Sequence, residues 1–531
     1  MSLEANDPEY RRLITPSSQR THVLVSEALE QMGYGKFQLR LLAFAGATQL
    51  ADAMELLTIS FLSHELKCPW GLGPQGAAGL QLAVLIGMGI GAIASGVVAD
   101  RHGRRTGSAL AVLFTAVFGI LSAFATNLPV LIILRFCVGI GVGAAPAPLG
   151  LYAEYLPQKR RGSQLIIFFT FFSFGAVLEA CIAALTLGEG MGGWRGLLLV
   201  SALPSVLLAF VLPWIPESPR YLIEADRHEE AVTALSRVGM VNGSLKDVNF
   251  NWETVQFCLN YSKRVPREGP EDMTRSLEEE KDVPGRNIQH FDLHVSENNY
   301  SPVVHERGTL RSLLTTQRMR PTLVLGAMMF DMAALYYSIV IASTSLLSPE
   351  SNQNAHDTCN QAYPHGAFTR IIITNSAELP GLAAAAFLLE RIGRKGSVSV
   401  CFLGCGVFMA SLFVSPVSLR SFLLFGARAS AQGFNVSLWV LATEFFPTSV
   451  RVLGVGMTTA CARLGSILSP FIVEYLFESS LWLGVLACCI LAFLGVVGSV
   501  FLPKDSQLAM KISNGAEGEG EVSEEEGEEI G

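Results

Sequence analysis

The sequence predicts an all-α membrane protein: twelve transmembrane helices in two pseudo-symmetric six-helix bundles. Three observations carry that prediction. Half of the 531 residues are apolar and 16% are charged, where an ordinary soluble domain holds about a quarter charged residues. The apolar residues fall in twelve blocks, each long enough for the roughly 20 helical residues that cross a bilayer. One charged pattern occurs twice: Asp100-Arg101-His102-Gly103-Arg104-Arg105 returns as Glu390-Arg391-Ile392-Gly393-Arg394-Lys395, and Glu154, Pro157 and Arg161 return as Glu444, Pro447 and Arg451, always 290 residues on. Two homologous halves facing each other in a membrane form the architecture of an alternating-access carrier, with the site between the halves.

The blocks divide the chain. Residues 1–37 form a cytoplasmic tail, and the N-terminal bundle occupies 38–214 with spans at about 38–62, 74–99, 106–125, 128–151, 163–187 and 194–214. A cytoplasmic linker follows at 215–320. In it, Ser218 caps and Pro219 opens a helix running to about Val238, and a second short amphipathic helix surrounds Leu310, Leu313 and Leu314. The C-terminal bundle occupies 321–502, with spans at about 321–347, 368–390, 396–415, 418–441, 452–477 and 480–502. An acidic tail, 503–531, carries eight Glu between Glu517 and Glu529 and much of the net charge of −8; such a run reads as solvated chain without chemistry.

Orientation follows from Lys and Arg beside the spans. The loops at 100–105, 158–161, 391–395 and 451 are basic, whereas 63–73, 126–127 and 478–479 hold almost no fixed positive charge. The basic loops and both termini are therefore expected in the cytoplasm. The sequons at Asn242, Asn260, Asn299 and Asn435 then lie where no glycan is added. Cys68 and Cys359 fall on the opposite side, where a disulfide is possible; spacing leaves it open whether they meet.

Charges inside the spans carry the functional reading, because holding one at mid-bilayer costs about 2.5–3.5 kcal/mol. Asp52 and Glu55 are three apart in the first span and share a face. Two carboxylates that close favour holding a proton, so one is either a proton carrier or a fixed partner of an Arg. Glu179 in the fifth span, Asp331 in the seventh, and Glu378 before Pro380-Gly381 in the eighth are further coupling or substrate candidates. Arg463, near the middle of the eleventh span, offers a planar fork for a carboxylate, sulfate or phosphate, or for an internal acid. Arg135 and Arg428 read mainly as structural. Tyr336 and Tyr337 are candidates for the cavity wall.

At the cytoplasmic face, Asp100, Arg101, Arg104, Glu154, Arg161 and Glu217, together with Arg391, Arg394, Glu444 and Arg451, form a candidate gate. Its ion pairs would bias one of two discrete arrangements. The plainer alternative is that these cations only satisfy the positive-inside rule. Gly139-Ile140-Gly141-Val142-Gly143 lies inside an apolar span with no preceding strand, so it reads as close helix packing rather than a nucleotide loop. No Ser-His-Asp set, metal-ligand cluster or Walker lysine loop is present, so the chain reads as neither an enzyme nor a nucleic-acid binder. No cofactor or metal is expected.

The motifs then carry a resemblance. Gly96-x-x-Ala99-Asp100-Arg101-x-Gly103-Arg104-Arg105, Arg135-Phe136-x-x-Gly139-x-Gly141-x-Gly143 and Pro216-Glu217-Ser218-Pro219-Arg220 resemble the major facilitator superfamily. Glu444-Phe445-Phe446-Pro447-Thr448-Ser449-Val450-Arg451, followed by Arg463-Leu464-Gly465-Ser466, resembles its organic ion transporter group. Gly35-Lys36-Phe37-Gln38, Ala51-Asp52-Ala53-Met54-Glu55 and Leu151-Tyr152-Ala153-Glu154 point more narrowly to a branch of vesicle proteins within it. The resemblance implies a monomeric carrier of a small organic ion, an Arg in the eleventh span that goes with anions, and the same gate role for the cytoplasmic charges, including Asp100 at a neighbouring helix end. A sugar porter is the nearest competitor; the seventh span lacks that family's paired Gln. A non-transporting scaffold with the same fold is the rival from another class. Glu9-Tyr10-Arg11-Arg12-Leu13-Ile14 fits an acidic dileucine signal, which points to a clathrin adaptor through Glu9, Leu13 and Ile14, and to vesicle or endosomal membrane as much as the plasma membrane.

Overall fold

The computed structural model describes residues 25–26, 28–157, 161–188, 192–243, 316–347, 366–416, 419–446 and 451–502. The acidic tail, the dileucine segment, Cys359 and the second linker helix lie outside them. Among the described residues, twelve spans are present. The first six are Lys36–Glu65, Pro74–His102, Arg104–Ala123, Leu128–Gly143 continued by Pro146–Glu154, Arg161–Ala183 with a π turn Ala184–Gly188, and Gly193–Val211. The second six are Thr316–Leu347, Ala367–Ser376 continued by Glu378–Arg391, Gly393–Ser411, Arg420–Phe445, Arg451–Phe471 with a π turn Ile472–Phe477, and Leu481–Phe501. Nine are long and apolar enough to cross a bilayer on length and composition alone. The first, ninth and tenth fall short of that test; the first carries Asp52 and Glu55, and the tenth carries Arg428.

Local chemistry sets the span ends. The second span stops at Gly103, whose φ of 101° suits glycine, and Gly393 repeats that turn in the second half with φ 77°. Asn127 caps the fourth span by accepting from the Val130 amide at 3.0 Å. Ser218 caps Pro219–Glu224 through the Tyr221 amide. The helix expected to continue to Val238 is instead two, Pro219–Glu224 and His228–Asn242, because Asp226 adopts φ 58° and turns the chain between them.

Large apolar side chains such as Ile93, Phe210, Phe422 and Phe493 stand on the outer surface. That surface suits hydrocarbon and would be a liability in water. Inside, small residues let backbones approach. Gly87, Gly91, Gly139 and Gly143 pack the second span directly against the fourth, backbone on backbone, and Gly465 lies against the Phe330 carbonyl between the eleventh and seventh. The two bundles meet where the second span touches the eleventh, the fifth touches the eighth, and the first touches the seventh.

On the side of the basic loops, here the basic face, Val25, Ala28, Leu29 and Met32 bury themselves against Leu222, Ala231, Leu235 and Val238 of the helices after the sixth span. Asn242 clasps the start of the first span. Its Oδ1 accepts from the Phe37 amide at 3.0 Å, and its Nδ2 donates to Gln38 Oε1 at 2.9 Å. Asn242 is thus a structural clasp, although it heads a sequon.

Replacing Gly465 by Leu forces a side chain into the Phe330 backbone, where overpacking typically costs about 1–3 kcal/mol. Thermal unfolding in detergent should show a clear loss for Gly465→Leu. Gly456→Leu should leave the midpoint unchanged, since a Cβ there meets nothing within 4 Å.

Candidate functional site

Among the described residues, each bundle holds one fully buried arginine on its fourth helix, tied to one glutamate and one serine. Arg135 donates from Nη1 to Glu55 Oε2 at 2.7 Å and from Nε to Ser122 Oγ at 3.1 Å. Arg428 donates from Nη2 to Glu378 Oε1 at 2.7 Å and from Nη1 to Ser343 Oγ at 2.9 Å. All four ionic side chains are at most 1% exposed. The Tyr336 hydroxyl adds a donor to Glu378 Oε1 at 3.3 Å. Arg135 and Arg428, which read mainly as structural in the sequence, are therefore the direct partners of two of the candidate acids.

Glu179 sits close to the first triplet and is held differently. It accepts from Thr58 Oγ1 at 2.6 Å and from Ser201 Oγ at 2.8 and 2.9 Å, both of the N-terminal bundle. Asp331 lies in the C-terminal bundle, within electrostatic reach of Cys405, and neither of its carboxylate oxygens meets a hydrogen-bond partner.

Asp52 and Arg463 occupy another environment. Asp52 is buried, its Oδ2 accepts no hydrogen bond, and Arg463 of the opposite bundle lies within electrostatic reach of it. Arg463 is half-buried, and its backbone carbonyl accepts from the Ser466 hydroxyl at 2.7 Å. Tyr337 packs from the seventh span against Leu56, Ile59, Val84 and Met88 of the N-terminal bundle, and Ile467, one turn beyond Arg463, packs against the same cluster. The face shared by Asp52, Arg463 and Tyr337 is thus the seam between bundles.

The basic face is tied together within the N-terminal bundle. Arg104 bridges Asp100 at 2.7 Å and Glu154 at 3.2 Å, and Glu154 also accepts from the Ser218 hydroxyl. Glu217 makes no ion pair with Arg101; it accepts from the backbone amides of Arg105 at 3.0 Å and Ser218 at 2.9 Å, so it caps the third span. Arg101 offers its carbonyl to the Tyr221 hydroxyl at 3.1 Å. Asp100, Arg104, Glu154, Arg220, Tyr221 and Glu224 line a cavity of about 210 Å³. In the second half Arg391 lies over the Phe387 ring at 5.4 Å. The side chains of Arg161, Glu444 and Arg451 lie outside the described residues.

The face opposite the basic loops, the far face, is crossed by polar contacts between bundles that sequence reasoning did not single out. Gln81 Nε2 donates to Glu474 Oε1 at 2.6 Å, and Lys67 Nζ donates to Glu478 Oε1 at 3.2 Å. A lone amide and a lone acid in apolar spans were the available signal. Cys68, beside Lys67, is disulfide-bonded, as a residue of that face.

Two six-helix bundles with paired charges inside each and a polar seam between them define the solute-carrier architecture. Residues 77–260 and 267–511 match the family described as Sugar (and other) transporter, and the chain belongs to that family, within the major facilitator superfamily. It is 32% identical over 498 residues to the Synaptic vesicle 2-related protein of Xenopus laevis, covering 91% of this chain and 81% of that one. It is 33% identical over 463 residues to Organic cation/carnitine transporter 7 of Arabidopsis thaliana, covering 85% and 88%. Among solved structures, the inward-open xylose transporter XylE from E. coli shares the fold with a TM-score of 0.62 at 19% identity, covering 90% of this chain and 99% of that one.

Removing one member of a buried ion pair strands the other, at a cost of about 3–5 kcal/mol. Arg135→Ala and Arg428→Ala should each lower the thermal midpoint in detergent strongly. The double variant Arg135→Gln with Glu55→Gln should recover much of the loss, which a double-mutant cycle on the midpoints measures.

Proposed function

We propose that this membrane transporter carries a small organic anion by alternating access, with proton coupling through Asp52. The observation that supports the reading most is the pairing across the seam: an acid of one bundle lies within electrostatic reach of an arginine of the other, and Asp52 Oδ2 accepts no hydrogen bond. Every other described buried charge pair in the spans, Arg135 with Glu55 and Arg428 with Glu378, stays inside one bundle. A group satisfied within a rigid bundle has no reason to respond to a solute. A pair split across moving bodies does.

The chemistry follows. While Asp52 is ionised it serves as the counter-ion of Arg463, and an incoming carboxylate or phosphate has to compete with it. A proton on Asp52 removes that competitor, and the guanidinium is then open to the solute's anionic group in bidentate geometry. Release of solute and proton on the other side restores the internal pair. With the basic loops in the cytoplasm, the far-face contacts hold the outer side shut, so the arrangement is inward-facing. The clathrin-adaptor signal and the synaptic vesicle 2-related relatives support a vesicle or endosomal membrane as the place of action.

A second reading is favoured by the family description, by the xylose transporter neighbours and by the organic cation/carnitine relative: a sugar or an organic cation takes the same seam. Uptake into proteoliposomes, with and without a pH gradient, across organic anions, cations and sugars separates these. For an anion carrier, Arg463→Ala should cut anion flux by at least about tenfold, the loss of one charge-assisted hydrogen bond. Asp52→Asn should leave anion flux in place and remove its dependence on the gradient. Sugar or cation flux indifferent to Arg463→Ala would replace the anion reading, and binding without any flux would leave only a scaffold.

A further inference from the structure

The fifth span and the eleventh, which carries Glu474, end in a shared irregularity. Two π turns, Ala184–Gly188 on the fifth span and Ile472–Phe477 on the eleventh, lie at equivalent places in the two halves. Ala184 and Glu474 are separated by 290 residues, the offset of the repeated charged motifs. A π turn accommodates one residue more than an α turn, loses hydrogen-bond quality, and is found mostly where function requires it. Its recurrence in both halves marks it as a property of the repeat and not an accident of one sequence.

Each π turn lies where its bundle touches the other. On the fifth span, Gly188 faces Phe368 of the eighth so closely that a Cβ would lie 3.0 Å from the ring. On the eleventh span the π turn contains Glu474, which is 7% exposed and accepts from Gln81 of the second span at 2.6 Å. Gln81 donates as well to Ser63 of the first span at 3.2 Å. Just beyond the π turn, Glu478 accepts from Lys67 at 3.2 Å. By contrast, the described ion pairs of the basic face join residues of one bundle only.

We propose that the twin π turns are the hinges of a far-side latch, closed by Glu474 on Gln81 and by Glu478 on Lys67. The buried Gln81–Glu474 contact is the stronger element, since it is shielded from water, and Lys67–Glu478 is an exposed supplement. Opening requires both to break, and the π turns let the ends of the fifth and eleventh spans bend without unwinding the helices beneath. The latch rests on the carrier reading for its purpose, while its existence is testable without any solute.

The probe is Ile59→Cys, buried beneath the latch against Tyr337 and Ile467. Its labelling by a membrane-impermeant methanethiosulfonate from the far side, over the parent chain, reports the open fraction. Labelling should be slow in the closed protein. Removal of a hydrogen bond to a charged group should raise it about tenfold or more in Glu474→Ala, and further with Lys67→Ala added. Glu474→Gln, which still accepts from the Gln81 amide, should raise it less. Should Glu474→Ala fail to give a monodisperse protein, Gln81→Ala tests the same bond from the other side. Equal labelling rates in wild type, Glu474→Ala and Gln81→Ala overturn the latch. Rates that rise as expected while the solute panel shows no flux overturn the carrier reading and leave the latch standing.

Discussion

A charge inside a bilayer has to find its opposite within the protein, and that constraint organises this molecule. Arg135 and Arg428 are fully buried, and a guanidinium with no counter-ion at that depth would not be tolerated. Glu55 and Glu378 answer them at 2.7 Å, with Ser122 and Ser343 taking a further N–H each. Each triplet draws on three helices of one bundle, so each pins its own bundle as a rigid body. Replacing such a pair by apolar side chains of similar volume is often neutral or stabilising, so their worth lies more in fixing one arrangement than in raw stability. On the proposed mechanism, rigidity within the bundles confines movement to the seam between them.

That division of labour separates charges which look alike in the sequence. Six of the acids and arginines in the spans are Glu55, Arg135, Glu378, Arg428, Asp52 and Arg463, and nothing in their local context tells the first four from the last two. What separates them is which bundle the partner belongs to. The same distinction runs through the polar faces. Arg104, Glu154 and Glu217 knit the third, fourth and sixth spans of one bundle together, whereas Gln81 and Glu474 join one bundle to the other. A motif rich in charge can be a clasp within one bundle, and a single amide can be the contact between two.

The fold was legible because bilayer thickness imposes length on every span, and because the 290-residue repeat declares two halves; the span limits agree with the helices to within a few residues. The candidate acids were legible for the same reason, since intramembrane charge is rare. Their partners were not. Arg135 and Glu55 are 80 residues apart, and Arg428 and Glu378 are 50 apart, so only helix rotation and packing bring them together. The break at Asp226 escaped notice because Asp in the left-handed region leaves no strong sequence mark. Glu217, a member of the candidate gate, accepts from backbone amides at the start of the third span in this arrangement, because unpaired amides at a helix start compete well for a carboxylate.

The clasp at Asn242 has a consequence for how the chain is made. Phe37 and Asn242 stand 205 positions apart, so at ordinary synthesis rates of about 5–20 residues per second the first span waits roughly 10–40 seconds for its cap to leave the ribosome. Through that interval Val25, Leu29 and Met32 have no helix to cover them. The N-terminal bundle is therefore completed late, after its last span has been translated, and its opening segment is a natural client for a chaperone or the insertion machinery until then.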